Sequence, residues 1–198
     1  MKLNRIVLGV TGGSGAGKGE VCRILKEMGG QILDADAISH EVILKGRTEA
    51  YTEVWKTFGE KVLNYRGEID RKILGGIVFN DKEKREQLTE IVHKYVIQRI
   101  LEALALSENR VIVIDAPLLI EAGVHEMCHV VIGVFAPAEL RKERIMKRDG
   151  ITKEEATARI SSQMSDADLS LHCDYIIHND GTLEDLIAQM ADFSRVIE

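Results

Sequence analysis

Five apolar runs, each the length of a strand, recur along the chain with helix-spaced segments between them. The runs are residues 5–10 (RIVLGV), Gln31 to Leu33, Val111 to Ile114, Val130 to Phe135 and Asp174 to Ile177. Residues 18–28 carry Val21, Ile24, Leu25 and Met28 at helical spacing, and Gly29-Gly30 closes that helix. Helical patterns also cover 37–44, 81–106, Pro137 to about Arg148, 152–163 and 183–196. The long segment 81–106 sets Leu88, Ile91, Val92, Tyr95, Ile100, Leu101 and Leu104 along one face. Strand–helix alternation of this kind predicts an α/β fold, a parallel five-stranded sheet between helices. In such sheets ligands bind beyond the carboxyl ends of the strands. Gly12, Asp34, Asp115 and Asn179 all fall just past a predicted strand.

The chain has 198 residues, 45% of them apolar, enough for one sizeable core with a small appended subdomain. With only 2 prolines and no run of small polar residues, no linker is visible. No apolar run approaches the ~20 residues of a membrane span. The start, MKLNRIVLGV, has too short an apolar run for a signal peptide and leads into glycines. A cytoplasmic protein without membrane contact is expected. Cys22, Cys128 and Cys173 lie far apart with no C-x-x-C pair, which predicts reduced thiols rather than a disulfide framework or a zinc site. A formal charge of −6 argues against a nucleic-acid partner. Any positive potential for an anionic substrate must then be local.

The stretch GVTGGSGAGKGE, residues 9–20, reads as a phosphate-binding loop between a strand and a helix. Gly12, four residues, Gly17 and Lys18 fit G-x-x-x-x-G-K-[ST] as far as the lysine. Gly13, Ser14, Gly15, Ala16 and Gly17 would turn successive N–H groups inward, and Lys18 would reach the terminal phosphates. Gly19 stands where a hydroxyl usually meets Mg²⁺, and Glu20 follows it. Three readings stay open: a water fills the gap, Glu20 reaches the metal, or catalysis is weak or lost.

Asp34-Ala35-Asp36 ends the second strand, and alternate residues there point to opposite sides. One acid suits a general base and the other a helix cap; Asp34, nearer the strand end, is the better base candidate. Arg141, Arg144 and Arg148 share one face of a predicted helix. They read either as a phosphate clamp or as a solvated face paired with Glu143 and Asp149. The clamp is favoured for Arg144 and Arg148. Asp115, a strand-end acid near the loop, is a candidate Mg²⁺ ligand through water.

In order and spacing, GVTGGSGAGKG, ILDADAISHEV, FGEKVLNYRGEIDRKILGGIVFNDKEKREQL, IVHKYV, VIVIDAPLLIEAG, LRKERIMKRDGITKEEATARISSQ and DYIIHNDG resemble the dephospho-coenzyme A kinase family. The resemblance runs from residue 6 to about 190. It implies a P-loop kinase core, a helical substrate-binding insertion around 40–105 and a lid around 145–170. It implies transfer of the ATP γ-phosphate, with Mg²⁺, to the ribose 3′-hydroxyl of dephospho-CoA, by a monomer or small homo-oligomer. Asp34 matches the family's proposed base, acting with Lys18, Arg144 and Arg148. Asp36, Arg71, His93, Asp115, Leu118, Leu119 and Glu121 lie in segments similar to the acceptor side. Gly19, Glu20 and Asn179 lie in segments similar to the nucleotide side. His93 taken alone reads as a core or rim histidine, and Lys94 stands where the family usually has proline. Two alternatives remain: a nucleotide-binding member with weak or lost activity, and a kinase for another small hydroxyl substrate.

Overall fold

The computed structural model describes residues 5–46, 48–79 and 81–197. The start of the chain, read above against a signal peptide, lies partly outside them. In chain order the first elements are β1 (Ile6–Thr11), α1 (Lys18–Glu27) and β2 (Gln31–Asp34). Next come α2 (Ala35–Val42), α3 (Glu49–Phe58), α4 (Arg71–Phe79) and α5 (Lys82–Leu106). The last stretch holds β3 (Val111–Asp115), β4 (Val130–Phe135), α6 (Ala138–Asp149), α7 (Lys153–Ser161), α8 (Asp166–Ser170), β5 (Tyr175–His178) and α9 (Leu183–Ile197). Asp34–Ser107 forms one compact unit, and the chain before and after it forms the other.

In the larger unit the sheet order is β2-β3-β1-β4-β5. β1 pairs parallel with β3 (Leu8 opposite Val113) and with β4 (Leu8 opposite Val130), and β4 pairs parallel with β5. β1 is therefore the middle strand, covered on both faces, which is why Val7, Leu8, Val10 and Thr11 are all buried. The core joins Leu8, Val10, Val113, Ile132, Val134 and Ile177 of the strands to Val21, Ile24 and Leu25 of α1 and to Leu186, Met190 and Phe193 of α9. Phe193 closes it against Tyr175 with ring centroids 4.9 Å apart. Each such fully buried side chain contributes about 1.5–3 kcal/mol through burial alone.

The smaller unit is helical and built on α5, which packs against α2, α3 and α4. α5 buries Ile91, Tyr95, Val96 and Ile100. Leu101, read from the sequence as part of that face, is 51% exposed, because one residue beyond Ile100 the helix has already turned away from it. The helices over 49–58, 71–79 and 166–170 were not anticipated from the sequence pattern.

Candidate active site

The loop from Gly12 to Lys18 leaves the middle strand and turns into α1. Gly15 and Gly17 have φ of +79° and +93°, conformations that a side chain resists. A Cβ at Gly15 would also strike the Arg141 backbone, and one at Gly17 the amide of Asn179. The loop carbonyls are taken by donors from outside it. Arg141 Nε donates to Ser14 O at 2.9 Å, and Asn179 Nδ2 donates to Ala16 O at 2.8 Å. Arg144 Nη1 donates to Gly15 O and Ala16 O at 3.3 and 3.4 Å. The N–H groups of Gly15, Gly17, Lys18 and Gly19 have no partner among the described residues. Gly17 is the N-cap of α1 and supplies no side-chain acceptor to the first turn. A helix start left open in this way carries partial positive charge and attracts anions.

Lys18 Nζ pairs with Asp115 Oδ1, both side chains mostly buried. The pair bridges 97 residues and joins the loop to the end of β3. Apart from its chain neighbours and its own helix turn, no heavy atom of the described residues lies within 4 Å of a Cβ built on Gly19, so a hydroxyl or a water has room there. Glu20 is held by Arg23, whose Nε and Nη2 donate to Oε1 at 2.9 and 2.6 Å. The Arg23 hydrogen bond keeps this carboxyl below the usual carboxylate range. Of the three readings for position 19, the one that sends Glu20 to a metal competes with this pairing. No cluster of three or more His, Cys, Asp or Glu suited to a metal occurs among the described residues. The residues present fit a cation held chiefly by phosphates and water, with Asp115 placed to reach it through water, as Mg²⁺ accepts.

The three arginines on α6 have three different surroundings. Arg141 is buried and pairs with Asp166 Oδ1 at 2.8 Å besides gripping the loop. Arg144 faces the loop carbonyls. Arg148 lies 61% exposed and donates through Nε and Nη2 to both oxygens of Asp149, which Arg159 also holds. These partners push the Asp149 carboxyl down to about 2, Arg148 first and Arg159 after it.

Asp34 is the last residue of β2 and the N-cap of α2, accepting from Ala37 N–H through Oδ1 at 2.9 Å. The capping carboxylate is thus Asp34, while Asp36 is exposed in the first turn, its backbone carbonyl accepting from Ser39 Oγ at 2.8 Å. Asp34 Oδ2 has no partner among the described residues. In the same unit Arg71 Nη2 lies 2.7 Å from His40 Nε2. Arginine only donates, so His40 Nε2 accepts. The two line a cavity of about 440 Å³ with Lys45, Glu68, Ile43 and Ile69. His93 is half-buried on α5. Its neighbour Lys94 reaches Glu53, which Tyr95 also holds. In the larger unit Leu119 is fully buried against Gly9, a packing role, while Leu118 and Glu121 are exposed.

Sequence reasoning did not single out His40, Gln163 or Asp166. Gln163 accepts from Ser14 N–H at 2.8 Å across 149 residues, and nothing in its local pattern signals that.

The family profile described as dephospho-CoA kinase matches residues 6–185. The chain is 42% identical over 189 residues to a Bacillus licheniformis protein named dephospho-CoA kinase, covering 93% of each. To its Lactobacillus johnsonii namesake it is 38% identical over 193 residues, covering 96% of this chain and 97% of the other. A solved dephospho-CoA kinase from Campylobacter jejuni superposes with a TM-score of 0.72 at 32% identity, covering 96% of both chains. A shikimate kinase from Acinetobacter baumannii shares the fold, with a TM-score of 0.58 at 18% identity.

Proposed function

The chain belongs to the dephospho-CoA kinase family, and on that premise we propose that it transfers the γ-phosphoryl group of ATP to the ribose 3′-hydroxyl of dephospho-CoA, giving coenzyme A and ADP. One observation of the molecule carries this reading: a loop whose carbonyls are bound from outside while the amides of Gly15, Gly17, Lys18 and Gly19 stay open beside a lysine. That arrangement suits the tail of a nucleoside triphosphate.

Phosphoryl transfer is mostly positioning and charge neutralisation. The open amides hold the β-phosphate, and Lys18 leaves Asp115 to follow the charge that builds on the γ-phosphoryl oxygens. Arg144 adds guanidinium donors to the same charge, and Arg148 joins it by releasing Asp149, which Arg159 continues to hold. A donor of this kind aimed at developing charge is worth about 2.7–4 kcal/mol. Asp34 accepts the proton of the attacking hydroxyl at Oδ2, with its other oxygen fixed by the Ala37 N–H. The Asn179 side chain braces the nucleotide side of the loop. Asp115 would hold Mg²⁺ through water, and the ion would supply neutralisation of the phosphate charge when bound. On the acceptor side, Arg71 and His93 stand in the helical unit, and the Arg71–His40 cavity offers cationic and apolar walls to an anionic, amphipathic substrate.

A panel of acceptors tests the reading. With ATP and Mg²⁺, kcat/KM for dephospho-CoA is expected to exceed that for adenosine, a nucleoside monophosphate or shikimate by at least about a hundredfold. Equal or better turnover of any of these assigns the chain another acceptor.

A further inference from the structure

Ser14 is a loop residue with both backbone groups taken by side chains from far along the sequence. Its N–H donates to Gln163 Oε1 at 2.8 Å, and its carbonyl accepts from Arg141 Nε at 2.9 Å. Arg141 is buried, and its charge is compensated by Asp166 Oδ1 at 2.8 Å. A Cβ on Gly13 would collide with the Arg141 guanidinium, so that group lies directly against the loop. Gln163, in the bend after α7, and Asp166, the first residue of α8, are three residues apart. One short stretch therefore grips Ser14 twice, directly at its N–H and through Arg141 at its carbonyl.

We propose that Gln163 is a positioning residue for the phosphate loop, fixing the peptide planes around Ser14 so that the Gly15, Gly17 and Lys18 amides stay aimed at the nucleotide. This rests on the reading of the loop as the ATP site. The Ser14 N–H is the amide that the carboxamide removes from competition. With its partner gone, the peptide between Gly13 and Ser14 is held only at its carbonyl, where Gly13 O accepts from Ala16 N–H at 3.0 Å, and the amides after it lose part of their common aim. Gln163 touches no phosphate in this scheme and acts through Ser14. The carbonyl side remains held by Arg141 and Asp166, so loss of Gln163 loosens the loop without undoing it.

Two variants test this on the full chain: Gln163→Leu, which removes the acceptor at similar size, and Gln163→Glu, which keeps an acceptor and adds a charge. ATP affinity is read by calorimetry, and protection of the Ser14 amide by hydrogen exchange. Gln163→Leu is expected to weaken ATP binding about two- to tenfold, the worth of one hydrogen bond, with loss of Ser14 protection and an unchanged KM for the acceptor. Gln163→Glu is expected to keep Ser14 protected, and to lose ATP affinity in a way that added salt relieves. Parent-like ATP affinity in Gln163→Leu, or Ser14 protection unchanged by it, overturns the proposal. A parent chain that binds no ATP overturns instead the reading of the loop on which it rests.

Discussion

Asp34 carries two duties that a single substitution can separate. As N-cap it holds the Ala37 N–H, and as proposed base it takes a proton. Asparagine caps as well as aspartate. Asp34→Asn is therefore expected to leave the melting temperature unchanged and to lower kcat about 10²–10⁴-fold. Asp34→Ala adds a stability loss of about 1 kcal/mol by losing the cap. A kcat for Asp34→Asn within a few-fold of the parent would remove Asp34 as base. Gly19 is the complementary case. Its position is exposed and open, so Gly19→Ser fits. That change is expected to stabilise α1 by about 0.5 kcal/mol and to move kcat by less than about threefold, the outcome in which a water serves in the hydroxyl's place. A gain above about tenfold in steady-state rate would mean that the natural site is crippled. Glu20, Arg23 and Glu27 sit at helical spacing, so their pairing has a local signal, although neither Arg23 nor Glu27 was singled out from the sequence. Lys18 and Asp115 were each picked from the sequence, but their pairing across 97 residues has no local signal.

α6 and α7 meet at a clasp in which Asp149 holds Arg148 and Arg159. The Asp149 carboxyl lies at about 2, below the ~3.9 of a free aspartate. The clasp's contribution is therefore present above pH ~4 and is lost as pH falls through the folded value. Carbon-13 titration of the Asp149 carboxyl is expected to show a midpoint about 2, and Asp149→Asn should remove that part of the acid dependence. A midpoint near the free value would show that the arginines do not hold it. α7 opens with a capping box, Thr152 with Glu155. Thr152→Ala is expected to cost about 1 kcal/mol, read from a denaturant midpoint. Elements with strong periodicity and clear ends were legible from residue order, notably α1, α6 and all five strands. α4 was not, because Gly75 and Gly76 interrupt its pattern, and packing against α5 overrides their low propensity. α8 is too short for a period to show.

Across the whole chain, the middle position of β1 sets the phosphate loop at the carboxyl end of a strand buried on both faces. The strands were visible in the sequence, but their order was not, since order depends on which distant strands pair. β1 pairs with β3, more than a hundred residues later, on one side and with β4 on the other. α9 closes this core through Leu186, Met190 and Phe193. Phe193→Ala is expected to destabilise the protein by about 3–5 kcal/mol, measured by urea unfolding, with ATP affinity of the folded fraction unchanged. With a net charge of −6, the attraction for anions is local to Lys18, the open amides and the α6 arginines. In the proposed reaction this assembly moves one phosphoryl group from ATP to the ribose 3′-hydroxyl of dephospho-CoA. Mass spectrometry of dephospho-CoA after incubation with the protein, ATP and Mg²⁺ tests it most directly. The expected result is a product heavier by one phosphoryl group and identical to coenzyme A, with one ADP formed per product. ATP that binds while the acceptor's mass stays unchanged would contradict it.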